Sequence, residues 1–196
     1  MKKLIPEGSI LIPESAELKY QGEIFSVYTW PQTLFDGSIK PFEMLKRRDT
    51  VAIICIIDDK IIIIDDEQPH RGMKKTLPGG QIDYSDESTL FAAQRETKEE
   101  TGLIFKNWKL VKVRQPYTKI EWFVYVYIAW EQNGSENPDP GPGEKITMNL
   151  LSFKDFKNTI DFKKSQLTEN YDLFITANNV NDLINLKEFS GIEVDR

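Results

Sequence analysis

Residues 94–104 read QRETKEETGLI, a dense charge run that stops at a glycine. Arg95, Glu96, Glu99 and Glu100 crowd together just before Gly102. At roughly 100° per residue on a helix, Glu96 and Glu100 fall one turn apart on the same stripe. Glu99 lies about 60° to one side, where Arg95 reaches it as an i,i+4 partner. Leu90, Ala93 and Thr97 form the adjoining stripe and face the core, so the paired glutamates sit at the boundary between core and solvent. Carboxylates clustered there repel one another unless a cation joins them. Mg²⁺, which prefers oxygen ligands in octahedral geometry, suits the position. Gly102 stands where a left-handed C-cap belongs.

A salt-bridged surface helix is the ordinary explanation of two adjacent glutamates. Here Glu87, Arg95, Glu96, Glu99, Glu100 and Gly102 recur at fixed spacing. At about 5–7 per cent usage per position, a chance match at a given site is on the order of 10⁻⁷. The charge run is therefore read as a site.

Outward from it, the chain of 196 residues predicts one main body with a sizeable core. Forty per cent hydrophobic and 29% charged residues make an ordinary globular balance. A net charge of −6 and only short basic clusters (Lys46-Arg47-Arg48, Lys74-Lys75, Lys163-Lys164) argue against broad nucleic-acid binding. An acidic protein that handles phosphates needs bound metal or a few placed arginines. The lone Cys55, inside VAIICII, has no internal disulfide partner and reads as a buried hydrophobe. Glu7, Pro13 and Glu14 interrupt any signal-like apolar core near the start. A soluble, cytoplasmic protein is expected.

Residues 17–30, broken at Gly22, and IKPFEMLKR after the DGS turn at 36–38 predict a small antiparallel meander. VAIICII and IIII flank Asp58-Asp59-Lys60. Neither run alternates polar with apolar, so both faces of these strands are expected to be covered by helices. STLFAAQRETKEETG is helical and WFVYVYIAW (122–130) a strand. The tract 131–145, with three prolines and three glycines, is expected to be a mobile loop that closes over a ligand. ITMNLLSF resumes a strand, and Ser152 caps a helix through Asp155. Helices are expected over 165–177 and 182–189.

The pattern Glu87-x7-Arg95-Glu96-x2-Glu99-Glu100-x-Gly102-Leu103 resembles the box of the Nudix hydrolases, Gly-x5-Glu-x7-Arg-Glu-U-x-Glu-Glu-x-Gly-U with U a bulky aliphatic. Gly80 precedes Glu87 by six residues where the box has five, and Thr97 stands at an aliphatic position. Over roughly 20–175, the meander, EQPHRG, LPGGQID and GPGEKITMNLLSF are similar to the ADP-ribose pyrophosphatase branch of that family.

This resemblance implies an α+β Nudix fold, a three-layer α/β/α sandwich with a mixed sheet, carrying the N-terminal antiparallel meander. It divides the chain into a meander, 1–48, and a hydrolase domain with C-terminal helices, 49–196. It implies Mg²⁺, with Mn²⁺ as a substitute, held by Glu96, Glu100 and Glu99 and by the carbonyl of a glycine in the PGG turn, Gly79. Glu144 or Glu99 is the candidate general base, with Arg95 holding Glu99 in place. For substrate it implies Arg71 on phosphate, Glu121 on the sugar end, and Arg47, Tyr28 and Trp30 at the meander; as plain core aromatics Tyr28, Trp30 and Phe35 are equally well explained. His70 reads as an exposed loop histidine.

The implied reaction is hydrolysis of the pyrophosphate bond in ADP-ribose or a related nucleoside diphosphate sugar, by a homodimer, with no nucleic acid or membrane partner. A triphosphate pyrophosphatase and a non-catalytic nucleotide sensor are the rival readings.

Overall fold

The computed structural model describes residues 2–159 and 169–195. The chain enters as β1 (Lys2–Ile5), whose Ile5 is fully buried. The meander follows as β2 (Glu17–Gln21), β3 (Ser26–Thr33) and β4 (Ile39–Lys46), paired antiparallel in that order. Gly22 marks its first turn, as the sequence predicts.

The apolar runs become β5 (Thr50–Ile57) and β6 (Lys60–Gln68). They join at Asp58, whose φ of 54° is one that aspartate tolerates in a tight turn. β7 (Gly72–Thr76) folds back on β6. Helix α1 (Thr89–Thr101) comes next, then β8 (Leu103–Arg114), β9 (Ile120–Glu121), β10 (Val124–Ser135) and β11 (Lys145–Ser152). Among the described residues, α2 (Phe153–Thr159), α3 (Tyr171–Ile175), α4 (Val180–Ile184) and β12 (Ile192–Asp195) complete the chain.

The central sheet runs β11-β6-β5-β10-β8, with β7 also on β6. β5 and β10 are parallel, whereas β8 and β11 join antiparallel, so the sheet is mixed. Period-two alternation sends Val51, Ile53 and Cys55 to one face against Ala92 and Ala93 of α1. Ile54 and Ile56 go to the other, against Phe156, Phe174 and Leu183 of α2, α3 and α4. β6 divides likewise, Ile62 and Ile64 to the first face and Ile61 and Ile63 to the second. Each such isoleucine contributes about 1.5–3 kcal/mol by burial, which explains why neither strand needs a polar face. The layers are helix, mixed sheet, helices.

Two pairings remain beyond those within the meander strands and the central sheet. β9 pairs parallel with β4, and β1 pairs with β12 at the far end of the chain. The Ser152 cap forms: its hydroxyl accepts from the Asp155 amide at 3.2 Å and donates to the Asp155 carboxylate at 2.7 Å. Of the expected 165–177 helix, residues 165–168 lie outside the described part.

One tract differs from expectation. Residues 131–135 belong to β10, because Leu103–Phe105 of β8 need backbone partners and find them at Gln132–Ser135 across a bulge. Side-chain patterning carries no trace of that pairing. The remaining loop, 136–144, is tied to the end of α1: the Glu136 amide donates to the Gly102 carbonyl at 2.7 Å and the Asp139 amide to Glu99 at 2.8 Å. These bonds satisfy carbonyls that a helix terminus leaves open.

Candidate active site

Helix α1 is fixed in register at both ends. Ser88 accepts a hydrogen bond from the Phe91 amide at 3.0 Å, and Gly102 takes the left-handed cap with φ 71°. Thr97 is fully buried, so its methyl serves where the box has an aliphatic. Glu96 and Glu100 then emerge at the core margin, against the Pro78-Gly79-Gly80 turn. That turn runs along the start of β5, with Val51 N–H donating to Gly80 and Ile53 N–H to Pro78 at 2.9 and 2.8 Å. A Cβ on Gly79 would meet the Val51 carbonyl at 2.2 Å, and one on Gly80 would meet Glu96 Oε2 at 2.5 Å. At Gly79, with φ 149° and backbone in the way, only glycine allows this approach; at Gly80 a Cβ would displace the Glu96 carboxylate. The Gly79 amide donates to Glu100 Oε2 at 2.7 Å.

Arg95 organises one flank. Nε and Nη2 grip the Asp86 carboxylate at 3.0 and 2.9 Å, and Nη2 also donates to the Gln81 carbonyl at 2.9 Å. Nη1 donates to Glu96 at 2.9 Å and Glu99 at 3.0 Å. Asp86 is buried and Glu87 exposed. Five residues separate Gly80 from Asp86, which is the box spacing, so Asp86 occupies the place that the spacing to Arg95 assigns to Glu87. Counting forward from the glycine would have found it.

Asp66, Gln68 and Arg71 build the other flank. Arg71 Nη2 pairs with Asp66 Oδ2, and Gln68 Nε2 donates to that same oxygen at 3.2 Å and to Glu144 Oε1 at 3.3 Å. Arg71 Nε reaches Gln68 Oε1 at 3.4 Å. Asp66 went unread in the sequence and Gln68 was read only as the start of the Gln68…Arg71 element of EQPHRG, though period two offered a signal for both. Counting on from Ile62 and Ile64, both fall on the strand face that α1 covers.

Electrostatics mark these acids. Burial pushes Glu96 from 4.5 up to about 7; Arg95 opposes this, while Glu99 and Glu144 add to it. Glu100, 6% exposed, is raised well above the carboxylate range by burial, against the Gly79 amide and with help from Glu96, Glu144 and Asp66. Asp86, by contrast, is held low by its bonds from Arg95. Among the described residues no three of His, Cys, Asp and Glu are already drawn together at ligand spacing. The donors at hand, the Glu96, Glu99 and Glu100 carboxylates and the Gly79 carbonyl, are nonetheless all oxygen, and the carboxylates repel one another. That set fits a hard divalent cation.

The other expected site residues divide. Tyr28 and Arg47 line a cleft of about 660 Å³ between meander and main body, together with Arg48, Tyr84 and Asp86. The Arg47 guanidinium lies 4.5 Å from the Trp122 ring and 5.7 Å from Phe25, and burial lowers its pKa. Since Asp86 also holds Arg95, the cleft adjoins the glutamates. Trp30 instead packs on Phe42 at 5.2 Å within the meander. Glu121 is 2% exposed; one oxygen accepts from the Ile12 amide at 2.8 Å and the other pairs with Lys46 Nζ at 2.8 Å. It clamps the meander to the body. His70 is exposed. Two further recesses, of about 580 and 640 Å³, lie at the Asp58-Asp59 end of β5, away from the glutamates.

No curated protein matches this sequence. The fold is similar to a crystal structure of an ADP compounds hydrolase, with a TM-score of 0.64 and 21% identity over 84% of this chain and 91% of that one. A turn of two glycines set against Glu96 and Glu100, with an arginine bracing the same helix, lies inside residues 46–171, which match the Nudix domain model, and the chain belongs to the Nudix family.

Proposed function

We propose that the protein is a Mg²⁺-dependent hydrolase that cleaves the pyrophosphate bond of ADP-ribose or a related nucleoside diphosphate sugar. The products are a nucleoside monophosphate and a sugar phosphate. The observation that carries this reading is the pair Glu96 and Glu100, half-buried and buried, against the Gly79-Gly80 turn, with proton affinities raised first by burial and further by neighbouring carboxylates. Glu96, Glu100 and Glu99, with the Gly79 carbonyl, are the proposed holders of Mg²⁺, for which Mn²⁺ can substitute. When bound, the ion supplies the positive charge that two adjacent phosphates require in an acidic protein and makes bound water more acidic.

The chain's own residues do the rest. Arg71 has a buried Nη1 without a partner and is suited to a phosphate oxygen. Arg95 has every donor engaged, so it positions Glu96 and Glu99 and leaves the ligand to others. In the cleft, Tyr28 and Arg47 offer an aromatic face and a cation to the nucleoside end. Water attacks phosphorus, the bridging P–O bond breaks, and the water's proton passes to a carboxylate. Glu144 is the favoured acceptor because Gln68 ties it to the Arg71 flank; Glu99 is the second. Glu121 is left out of the substrate site because its buried carboxylate is already engaged.

The ADP compounds hydrolase with the similar fold supports a nucleoside diphosphate substrate. Exposed Tyr20, Phe35 and Ile39 on the meander support a homodimer through that sheet. No helix among the described residues is long and apolar enough to cross a membrane, in keeping with a cytoplasmic enzyme.

A substrate panel with Mg²⁺, read as phosphate after phosphatase coupling, tests the proposal. ADP-ribose or another diphosphate sugar should exceed every triphosphate by at least about tenfold in kcat/KM, or 1.4 kcal/mol. Faster turnover of dATP or GTP would refute the substrate class.

A further inference from the structure

Each flank of the glutamate pair carries an arginine gripped by a buried aspartate, Arg95 by Asp86 and Arg71 by Asp66. The two pairs are not equivalent. Asp86 takes two bonds from Arg95, whose Nη1 is also engaged by Glu96 and Glu99. Asp66 meets only Nη2 of Arg71, leaving Asp66 Oδ1 and Arg71 Nη1 both buried and both without partners. An unpaired buried donor is costly, so the free Nη1 of Arg71 is placed to take an anion. Gln68 fixes the geometry from below: it accepts from Arg71 Nε, donates to Asp66, and also holds Glu144. The Arg71 amide donates to the Gln68 carbonyl at 3.1 Å, which closes the turn.

We propose that Asp66 is a positioning residue that orients Arg71 so that its free Nη1 meets a phosphate oxygen of the ligand. The carboxylate holds one edge of the guanidinium and leaves the other for the anion. Asp66 therefore acts on ligand affinity through Arg71 and has no independent contact with the ligand. This rests on the hydrolase reading above, but its consequence is a binding property that can be measured without turnover.

The experiment is a double-mutant cycle of D66N, R71A and D66N/R71A. ADP binding in the presence of Mg²⁺ is measured by calorimetry, and ADP-ribose turnover in parallel. Thermal melting checks that each variant folds. D66N should weaken ADP binding roughly tenfold and raise KM similarly, with kcat changed less than about threefold. In the R71A background D66N should add no further loss, because its effect passes through the guanidinium. Additive losses, or ADP binding by D66N equal to that of the parent, would overturn the proposal. Should D66N fail to fold, D66E decides: it keeps the charge but moves the guanidinium by a methylene, and undiminished ADP affinity would overturn the proposal equally. If no diphosphate sugar is hydrolysed while the cycle shows coupling, the substrate reading fails and the role of Asp66 stands.

Discussion

Arg95→Lys keeps the charge and removes the fork. The guanidinium now makes two bonds to Asp86, one to the Gln81 carbonyl, one to Glu96 and one to Glu99, all between 2.9 and 3.0 Å. An ammonium is a single point with three donors and cannot span Asp86 and the two glutamates. Asp86, whose side chain is 1% exposed, would keep the Asp83 amide at 2.7 Å and at most one bond from the ammonium in place of the two-bond grip, whereas Arg95 itself is 22% exposed. Breaking a buried pair costs about 3–5 kcal/mol. The retained charge argues for the lower end, about 3 kcal/mol. For a chain of this size that is a drop of about 6–12 °C in Tm. The assay is urea unfolding in EDTA, followed by the fluorescence of the four tryptophans. A loss below about 1 kcal/mol would mean that Arg95 is an ordinary surface ion pair and that the glutamates are not organised through it.

Other expectations follow from the same geometry. Glu144→Gln should lower kcat by roughly 10²-fold with little change in KM for ADP-ribose; an unchanged kcat moves the base role to Glu99. In the metal-free protein Glu96 keeps its proton up to about pH 7, against an ordinary 4.5, so the folded state binds a proton that the unfolded chain has lost. Stability should therefore fall as pH rises through that window, by on the order of 3 kcal/mol. Excess MgCl₂ should accordingly raise Tm more at about pH 8 than at about pH 5. Equal Mg²⁺ shifts at both values would contradict the assignment of Glu96.

The helix acids were legible because their logic is local: Arg95, Glu96, Glu99 and Glu100 share one turn, and i,i+4 geometry needs no tertiary information. The covered faces of β5 and β6 were legible for the same reason, from unbroken isoleucine runs. Asp86 was missed by one residue, since two adjacent acids cannot be told apart until the loop shows which one is buried under Arg95. Glu121 illustrates a different limit. Its carboxylate is engaged by the Ile12 amide, 109 residues away in sequence, and by Lys46, and nothing in YTKIEWFVY announces either partner. The extension of β10 through 131–135 was hidden likewise, because a polar strand held only by backbone pairing leaves no side-chain period to read. Long-range pairing decided the last two cases.

Hydrolysis is expected to depend on an ion carried by Glu96 and Glu100. The deciding measurement is turnover of ADP-ribose by the parent protein and by Glu100→Gln, both at saturating Mg²⁺. The substitution keeps the shape of the side chain and its acceptor for the Gly79 amide while removing the charge. Turnover should fall by roughly two to three orders of magnitude with the fold intact by melting. A folded Glu100→Gln protein that keeps near-parental turnover would contradict the account.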